Sequence, residues 1–462
     1  MLFNSLQFII FYIVITSGYY AIAHRWRWAL LLLASCYFYM VFVPKYIIIL
    51  MCVIVIDYVA GIYIEKTTKN KRKYWLLASI AANVGILFVF KYYSFFNENL
   101  TQLTTWFGGS NPLPIWSVVL PIGLSFHTFQ AMSYTIEVYK GKQKAERHLG
   151  HYALYVLFYP QLVAGPIERP QNILPQFKIA HRFDAQLFKS GLWLMLGGFF
   201  RKVVIADRLA VAVNAAYNQV DHQNGLTLAL ATILFAFQIY CDFSGYSDIA
   251  IGAARTMGFK LMTNFDKPYL ASNISQFWHR WHISLSTWFR DYVYIPLGGN
   301  RVLVARWFSN LIIVFLLSGF WHGANWTFII WGLLHGIYLI SEILIKRHTK
   351  LRLPLVLQRI TTFVLVCLAW IFFRANTVSD AFIILQKIGN LSISSTIQLP
   401  YSHRELIFCG LLISGLLLQE QYFSKPLHIK SNILFIFTFL FIALLCYWFG
   451  IFDNQQFIYF QF

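Results

Sequence analysis

Apolar positions recur along this chain in long runs separated by short polar or basic breaks. The runs cover residues 2–23, 28–43, 46–64, 74–96, 115–135, 187–206, 226–250, 308–321, 326–345, 355–373, 405–419 and 432–451. A helix needs roughly 20 apolar residues to cross a hydrocarbon core, so the pattern predicts an all-α polytopic membrane protein of roughly 11–12 spanning helices. No stretch between the runs is long enough for an ordinary soluble domain, and residues 1–462 read as one integral domain.

Two segments break the pattern. Tyr159-Pro-Gln-Leu-Val-Ala-Gly-Pro-Ile-Glu-Arg-Pro170 places three prolines and a glycine in an apolar setting. Broken backbone at membrane depth is tolerated where protein or a water-filled cavity satisfies it, so this stretch is expected to be re-entrant and to line a cavity. Residues 253–306 are too polar to span but dense in aromatic residues alternating with Arg and His, as amphipathic helices in the cytoplasmic interface are. The Gly- and Pro-containing stretch 97–114 reads as a loop.

Composition agrees with a lipid environment: of 462 residues 58% are hydrophobic and only 12% charged, with a mean hydropathy of +0.58. That is too little polar surface for a soluble globule. The net charge of +19 is not a nucleic-acid signature, because the cations gather in breaks between apolar runs: His24 to Arg27, Lys66 to Lys73, Lys140 to Arg147, Arg255 to Arg306 and Lys346 to Arg352. Placing each of these breaks in the cytoplasm gives a consistent alternation with both termini, including the tail 452–462, outside. The first run lacks a basic start and a cleavage site, so it reads as a retained helix. Cys36, Cys52, Cys241, Cys367, Cys409 and Cys446 show neither disulfide nor thiolate-metal spacing.

The chemistry-bearing residues sit in Gln276-Phe-Trp-His-Arg-Trp-His-Ile-Ser-Leu-Ser-Thr-Trp-Phe-Arg-Asp-Tyr292 and in Ser318-Gly-Phe-Trp-His-Gly-Ala-Asn-Trp326. Together with Leu120-Pro-Ile-Gly-Leu-Ser-Phe126, Tyr159 to Pro166, Gln238-Ile-Tyr-Cys-Asp-Phe-Ser-Gly-Tyr-Ser-Asp248 and the run ending Tyr-Ile-Pro-Leu-Gly-Gly-Asn-Arg301, they resemble the membrane-bound O-acyltransferase family. The resemblance is to its alginate O-acetyltransferase branch and the peptidoglycan-acetylating and teichoic-acid D-alanylating relatives. It implies a helical bundle around a central tunnel, an essential histidine at His322, an upstream partner at His282, and acetyl-CoA as acyl donor without a metal. It also implies an extracytoplasmic SGNH-type acetyltransferase as partner, an envelope polysaccharide as acceptor, and a bacterial inner-membrane location. His279 stands where the family commonly carries arginine and takes no catalytic role.

Acyl transfer from a thioester to a hydroxyl needs a base for the hydroxyl proton and donors for the oxyanion. An ionisable group retained in a membrane is by default a functional candidate, and a buried imidazole stays neutral and basic. His322 is therefore assigned as base and His282 as the group that orients or polarises the thioester. Their positions on opposite sides of one apolar segment suggest a cytoplasmic donor entrance and an outer acceptor mouth. The competing reading for each is helix packing through the ring nitrogens, which is preferred for His127 and His335. A His279/His282 metal pair lacks a third ligand.

Arg280, Arg290 and Arg301 are candidates for donor phosphates, against simple positive-inside anchoring. Asp242, Ser244, Tyr246 and Asp248 form a polar island expected to pack or line a channel. Tyr459, in an aromatic tail like those of the resembled branch, is assigned as an acyl relay, against an interfacial anchor. Acylation of a lipid or protein within the membrane, and proton-coupled transport, are the rival functions.

Overall fold

The computed structural model describes residues 1–116, 120–163, 165–349, 353–392, 396–422 and 431–452. Among them every regular element is helical: α1 Leu6–Ala21, α2 His24–Met40, α3 Tyr46–Lys66, α4 Lys69–Leu87, α5 Tyr93–Trp106, α6 Leu124–Tyr139, α7 Leu149–Leu157, α8 Pro170–Phe177, α9 Ala185–Phe199 and α10 Asp207–Tyr217. The order continues with α11 Gly225–Thr256, α12 Ile274–Arg280, α13 Ile283–Phe289, α14 Val304–His322, α15 Trp326–His348, α16 Leu355–Arg374, α17 Val378–Gly389, α18 His403–Tyr422 and α19 Asn432–Phe449.

Eleven of the twelve apolar runs fall mainly on helices, and of the run 115–135 the part from Leu124 onward does. Seven helical stretches among the described residues are long and apolar enough to cross a membrane. Of the other five runs, those on α1, α2, α6 and α9 lie on helices of only 16, 17, 16 and 15 residues, under the roughly 20 a span requires, while α18 has 20 residues but carries Arg404, Glu405 and Glu420.

The described residues cluster into two compact units, one of residues 1–195 and 249–262, the other of 196–248 and 263–462. In the first, α3, α4 and α6 pack around the buried carboxylate of Asp57, which accepts from Ser79 Oγ at 2.6 Å and Asn83 Nδ2 at 2.8 Å. The stretch 107–114 is the expected loop, whereas 97–106 is helical, because α4 continues through a π-helical turn, Phe88–Tyr92, into α5. Thr101, Thr104 and Thr105 donate back to carbonyls four residues earlier, so their hydroxyls decorate the helix instead of ending it.

The described residues of 158–169 are non-helical, as expected, and mostly buried. Protein groups meet its polar atoms: Tyr155 Oη donates to the Glu168 carbonyl at 3.1 Å, Ser35 Oγ accepts from Tyr159 N at 3.0 Å, and Glu168 Oε1 accepts from Met262 N at 2.5 Å. Side chains thus supply what lipid cannot.

The second unit has an aromatic core in which Trp281, Trp331, Trp370 and Phe235 are buried. Three of its helices, α12, α15 and α17, start on side-chain caps. Asn273 accepts from Gln276 N, Asn325 from Thr327 N, and Thr377 forms a capping box with Asp380. α15 ends in Lys346-Arg347-His348, cations placed against the negative end of its dipole.

Candidate functional site

The site is built from the kink between α12 and α13 and from the α14–α15 hairpin, all within the second unit. His282 occupies the kink with φ 43° and ψ 55°, a left-handed conformation that costs a non-glycine residue about 1 kcal/mol or more. Asn264 holds it there. Its carbonyl accepts from Ile283 N at 2.9 Å, its Oδ1 accepts from Ser284 Oγ at 2.6 Å, and its Nδ2 donates to Ser247 Oγ at 3.2 Å. The imidazole of His282 is buried, edge-on to Phe243 at 4.6 Å and 6.2 Å from the Trp321 ring. Outside the spanning helices, burial holds its pKa well below the ordinary histidine value, so the ring is neutral.

His322 ends α14, buried and enclosed by rings: Trp321 at 4.9 Å, Trp331 at 5.1 Å and Phe373 at 5.3 Å. Glycines make this enclosure possible. A Cβ on Gly319 would lie 2.2 Å from the Phe328 carbonyl oxygen, and one on Gly332 2.2 Å from that of Phe315, so α14 and α15 meet backbone to backbone, as small residues permit in membrane helices. Past His322, a Cβ on Gly323 would lie 2.1 Å from the Phe328 ring. The glycine of Trp-His-Gly is therefore a steric requirement of the helix exit.

The two histidines are not a membrane thickness apart. After α13 and a π-helical turn, Arg290–Tyr294, the chain reverses through Gly298 and Gly299, both at positive φ. α14 then runs back alongside, with Trp307 Nε1 donating to Tyr294 Oη at 2.8 Å and Asn310 Nδ2 to the Gly299 carbonyl at 3.1 Å. His282 consequently reaches Trp321, the residue before His322. The expected placement at opposite ends of one traverse is corrected by this reversal.

A cavity of about 640 Å³ reaches Ile283 and Ser318, the neighbourhood of the pair, though neither histidine lines it. Its wall is apolar at Trp278, Ile283 and Phe315, and its lining also carries His279, Arg290, Lys346 and Glu342, the last ion-paired with Lys346. Of the three candidate arginines only Arg290 lines it, and that guanidinium is 2.8 Å from Asp291. Arg280 donates to the Lys267 carbonyl at 3.4 Å and Arg301 is exposed, so the three do not gather at the cavity. Nδ1 of His279 lies 2.7 Å from the Ser275 carbonyl oxygen. His335 packs against Trp278, Trp331 and Phe277; His127 lies in the first unit near Tyr39. Tyr459 lies outside the described residues.

The polar island serves ion pairing. Asp242 and Asp207 each approach Lys202 Nζ at 2.7 Å, and Asp248 approaches Arg201 at 2.5 Å. The Tyr246 ring lies 5.7 Å from Lys202 Nζ, and Ser244 is buried with Oγ unpaired. Lys202 and Arg201 went unnoticed in the sequence although two cations in an apolar run signal buried partners. Asn264, Trp278 and Trp331 also escaped, because aromatic and amide residues in such runs look like ordinary core. Among the described residues no three His, Cys, Asp or Glu side chains converge as a metal site would require.

Residues 146–379 match the model of the MBOAT, membrane-bound O-acyltransferase, family. The chain is 35% identical over 440 residues to the probable alginate O-acetylase AlgI of Pseudomonas aeruginosa, covering 93% of this chain and 84% of that one. It is 35% identical over 439 residues to the peptidoglycan O-acetyltransferase of Helicobacter pylori, with 88% and 82% covered. A shorter match, 34% over 232 residues with 47% and 56% covered, is to the teichoic acid D-alanyltransferase of Streptococcus thermophilus. The chain belongs to the membrane-bound O-acyltransferase family.

It is a multi-pass membrane O-acyltransferase, and the matched region of this acyltransferase contains His282, His322, their aromatic cage and the adjoining cavity. An imidazole enclosed by rings, next to a second, neutral imidazole fixed by a strained kink, is suited to moving a proton where water is scarce.

Proposed function

We propose that this acyltransferase takes an acetyl group from a cytoplasmic thioester, acetyl-CoA, and delivers it across the membrane for O-acetylation of an extracytoplasmic polysaccharide. The observation that carries the reading is the convergence of His282 and His322 on Trp321. His322 is the general base and His282 the group that orients the thioester. The cavity lined by Arg290 and Lys346 receives the donor, its cations meeting phosphate and its apolar wall meeting the acyl arm. The alginate and peptidoglycan acetylating relatives, each matched over more than four-fifths of its length, support a polysaccharide acceptor.

In chemical terms, the attacking hydroxyl forms a bond to the thioester carbon as its proton passes to His322. The tetrahedral intermediate then expels sulfur, and the thiolate takes up that proton. The first acceptor is Tyr459 of the C-terminal tail, which forms an ester and passes the acetyl to a serine of an SGNH-type partner outside the cell. The protein resides in the bacterial inner membrane with both termini outside, consistent with the basic breaks being cytoplasmic.

The test is transfer of label from [14C]acetyl-CoA in proteoliposomes containing the protein and its partner. His322→Ala, matched for folding and insertion, is expected to lower transfer by about 10²–10⁴-fold, the contribution of a general base. Wild-type rates in this variant would remove His322 from the chemistry. Tyr459→Phe is expected to stop transfer as well; an active variant would reduce the tail to an anchor.

A further inference from the structure

One face of α15 carries three buried polar atoms that have no hydrogen-bond partner among the described residues: Thr327 Oγ1, Trp331 Nε1 and His335 Nε2. Thr327 is 1% exposed, Trp331 and His335 0%. They stand four residues apart, which brings them onto one stripe of the helix with a rise of about 6 Å between neighbours. Trp278 fixes the protonation of His335, because its indole N–H donates to Nδ1 at 3.3 Å and leaves the ring hydrogen on Nε2. All three atoms can therefore donate, and all three lack an acceptor.

Two buried hydroxyls of the same unit show the usual pairing, Tyr217 Oη with Thr232 Oγ1 at 2.8 Å and Tyr269 Oη with the Ala236 carbonyl at 2.6 Å, while Ser244 Oγ and Trp370 Nε1 stand unpaired singly and not in a row along one helix. Native interiors rarely leave such groups unmet, and those that remain call for a ligand or a catalytic role. The stripe also lies where a ligand is needed. The Trp331 ring is 5.1 Å from that of His322, and His335 bonds to Trp278, which lines the cavity.

We propose that Trp331 is a catalytic residue whose Nε1–H holds the carbonyl oxygen of the thioester, and that His335 Nε2–H holds the next carbonyl along the donor's arm. This rests on the reading of His322 as base. A thioester on a pantetheine-type arm presents such carbonyls in sequence, and the donor extends from His322 along α15 toward the cavity. As the acceptor hydroxyl bonds to the thioester carbon and gives its proton to His322, the carbonyl π pair moves onto oxygen beside the Trp331 N–H. When the C–S bond breaks, that pair re-forms the carbonyl, and the sulfur leaves as thiol with the proton returned by His322.

The experiment compares wild type, Trp331→Phe and His322→Ala, each as full-length protein in proteoliposomes with partner, by steady-state transfer from [14C]acetyl-CoA. Trp331→Phe keeps an aromatic ring and deletes the donor. The expected result is a kcat lower by about 10²–10³-fold, the loss seen when one oxyanion donor is removed, with KM for acetyl-CoA within about threefold. Because phenylalanine is smaller than indole, a second form carries 3-benzothienylalanine at position 331, which preserves ring shape and replaces N–H by sulfur. Its kcat is expected to fall equally. Near-wild-type kcat in this form, alongside an inactive His322→Ala, would overturn the role of Trp331 and leave His322 standing. Transfer by His322→Ala at the wild-type rate would overturn both, and absence of transfer by wild type would remove the donor on which both depend.

Discussion

The π-helical segment Phe200–Ala206 and the inner face of α15 both bury polar atoms in the same unit, by opposite means. In the first, Lys202 is 1% exposed and lies 2.7 Å from each of two carboxylates, Asp207 and Asp242. In the second, Thr327, Trp331 and His335 present donors with nothing to receive them. Charges taken out of water survive only when paired, so the ion cluster is explained by the protein alone. The α15 stripe is not, and it touches the ring of His322. Both regions came from apolar runs, and pairing distinguishes the one that holds helices together from the one arranged for a substrate.

Lys202→Met breaks the paired side of that comparison most severely. It strands two buried carboxylates and is expected to lower stability by roughly 3–5 kcal/mol, read as thermal unfolding in detergent micelles; a variant as stable as wild type would show that the cluster is not what holds this region. Gly332→Ala attacks the other side through its scaffold. The new methyl group, placed 2.2 Å from the Phe315 carbonyl oxygen, is expected to force α14 and α15 apart at a loss of about 1–3 kcal/mol. Transfer should fall with it, and unchanged stability together with unchanged transfer would refute the close contact.

The smallest change in stability is expected for His282→Gly. Glycine accepts the left-handed conformation that histidine adopts under strain, a gain of about 1 kcal/mol that offsets much of the cost of the cavity left by the buried ring, so the net loss of stability should be smaller than in the other two variants. Its transfer should nonetheless drop roughly tenfold or more through lost orientation. A loss of stability as large as in those two variants, in parallel with activity, would make His282 a structural residue.

Much of this was legible in the sequence, for physical reasons that also set its limit. Apolar runs and basic breaks reflect the cost of placing polar groups in lipid, so the apolar runs fell mainly on helices, that of 115–135 from Leu124 onward. The residues around His282 and His322 likewise announced themselves, because Trp, His and Arg cluster where few polar residues are otherwise tolerated. Proximity was not legible. Placing His282 and His322 on opposite sides of the apolar segment 308–321 overlooked that Gly298 and Gly299 reverse the chain, which carries His322 back toward His282. Lys202 and Asp242 are 40 positions apart and show their relation only once helices pack. The stripe on α15 has the spacing of any helical face, and its meaning lies in the missing partners.

The glycine contacts between α14 and α15 also constrain kinematics. With Gly319 and Gly332 opposed to carbonyl oxygens of the facing helix, neither helix can roll about its axis without driving backbone into backbone. The hairpin must swing or tilt as one lever. Whatever movement admits a donor or releases a product, His322 and Trp331 therefore travel together, and the base keeps its spacing from the indole through the whole catalytic cycle.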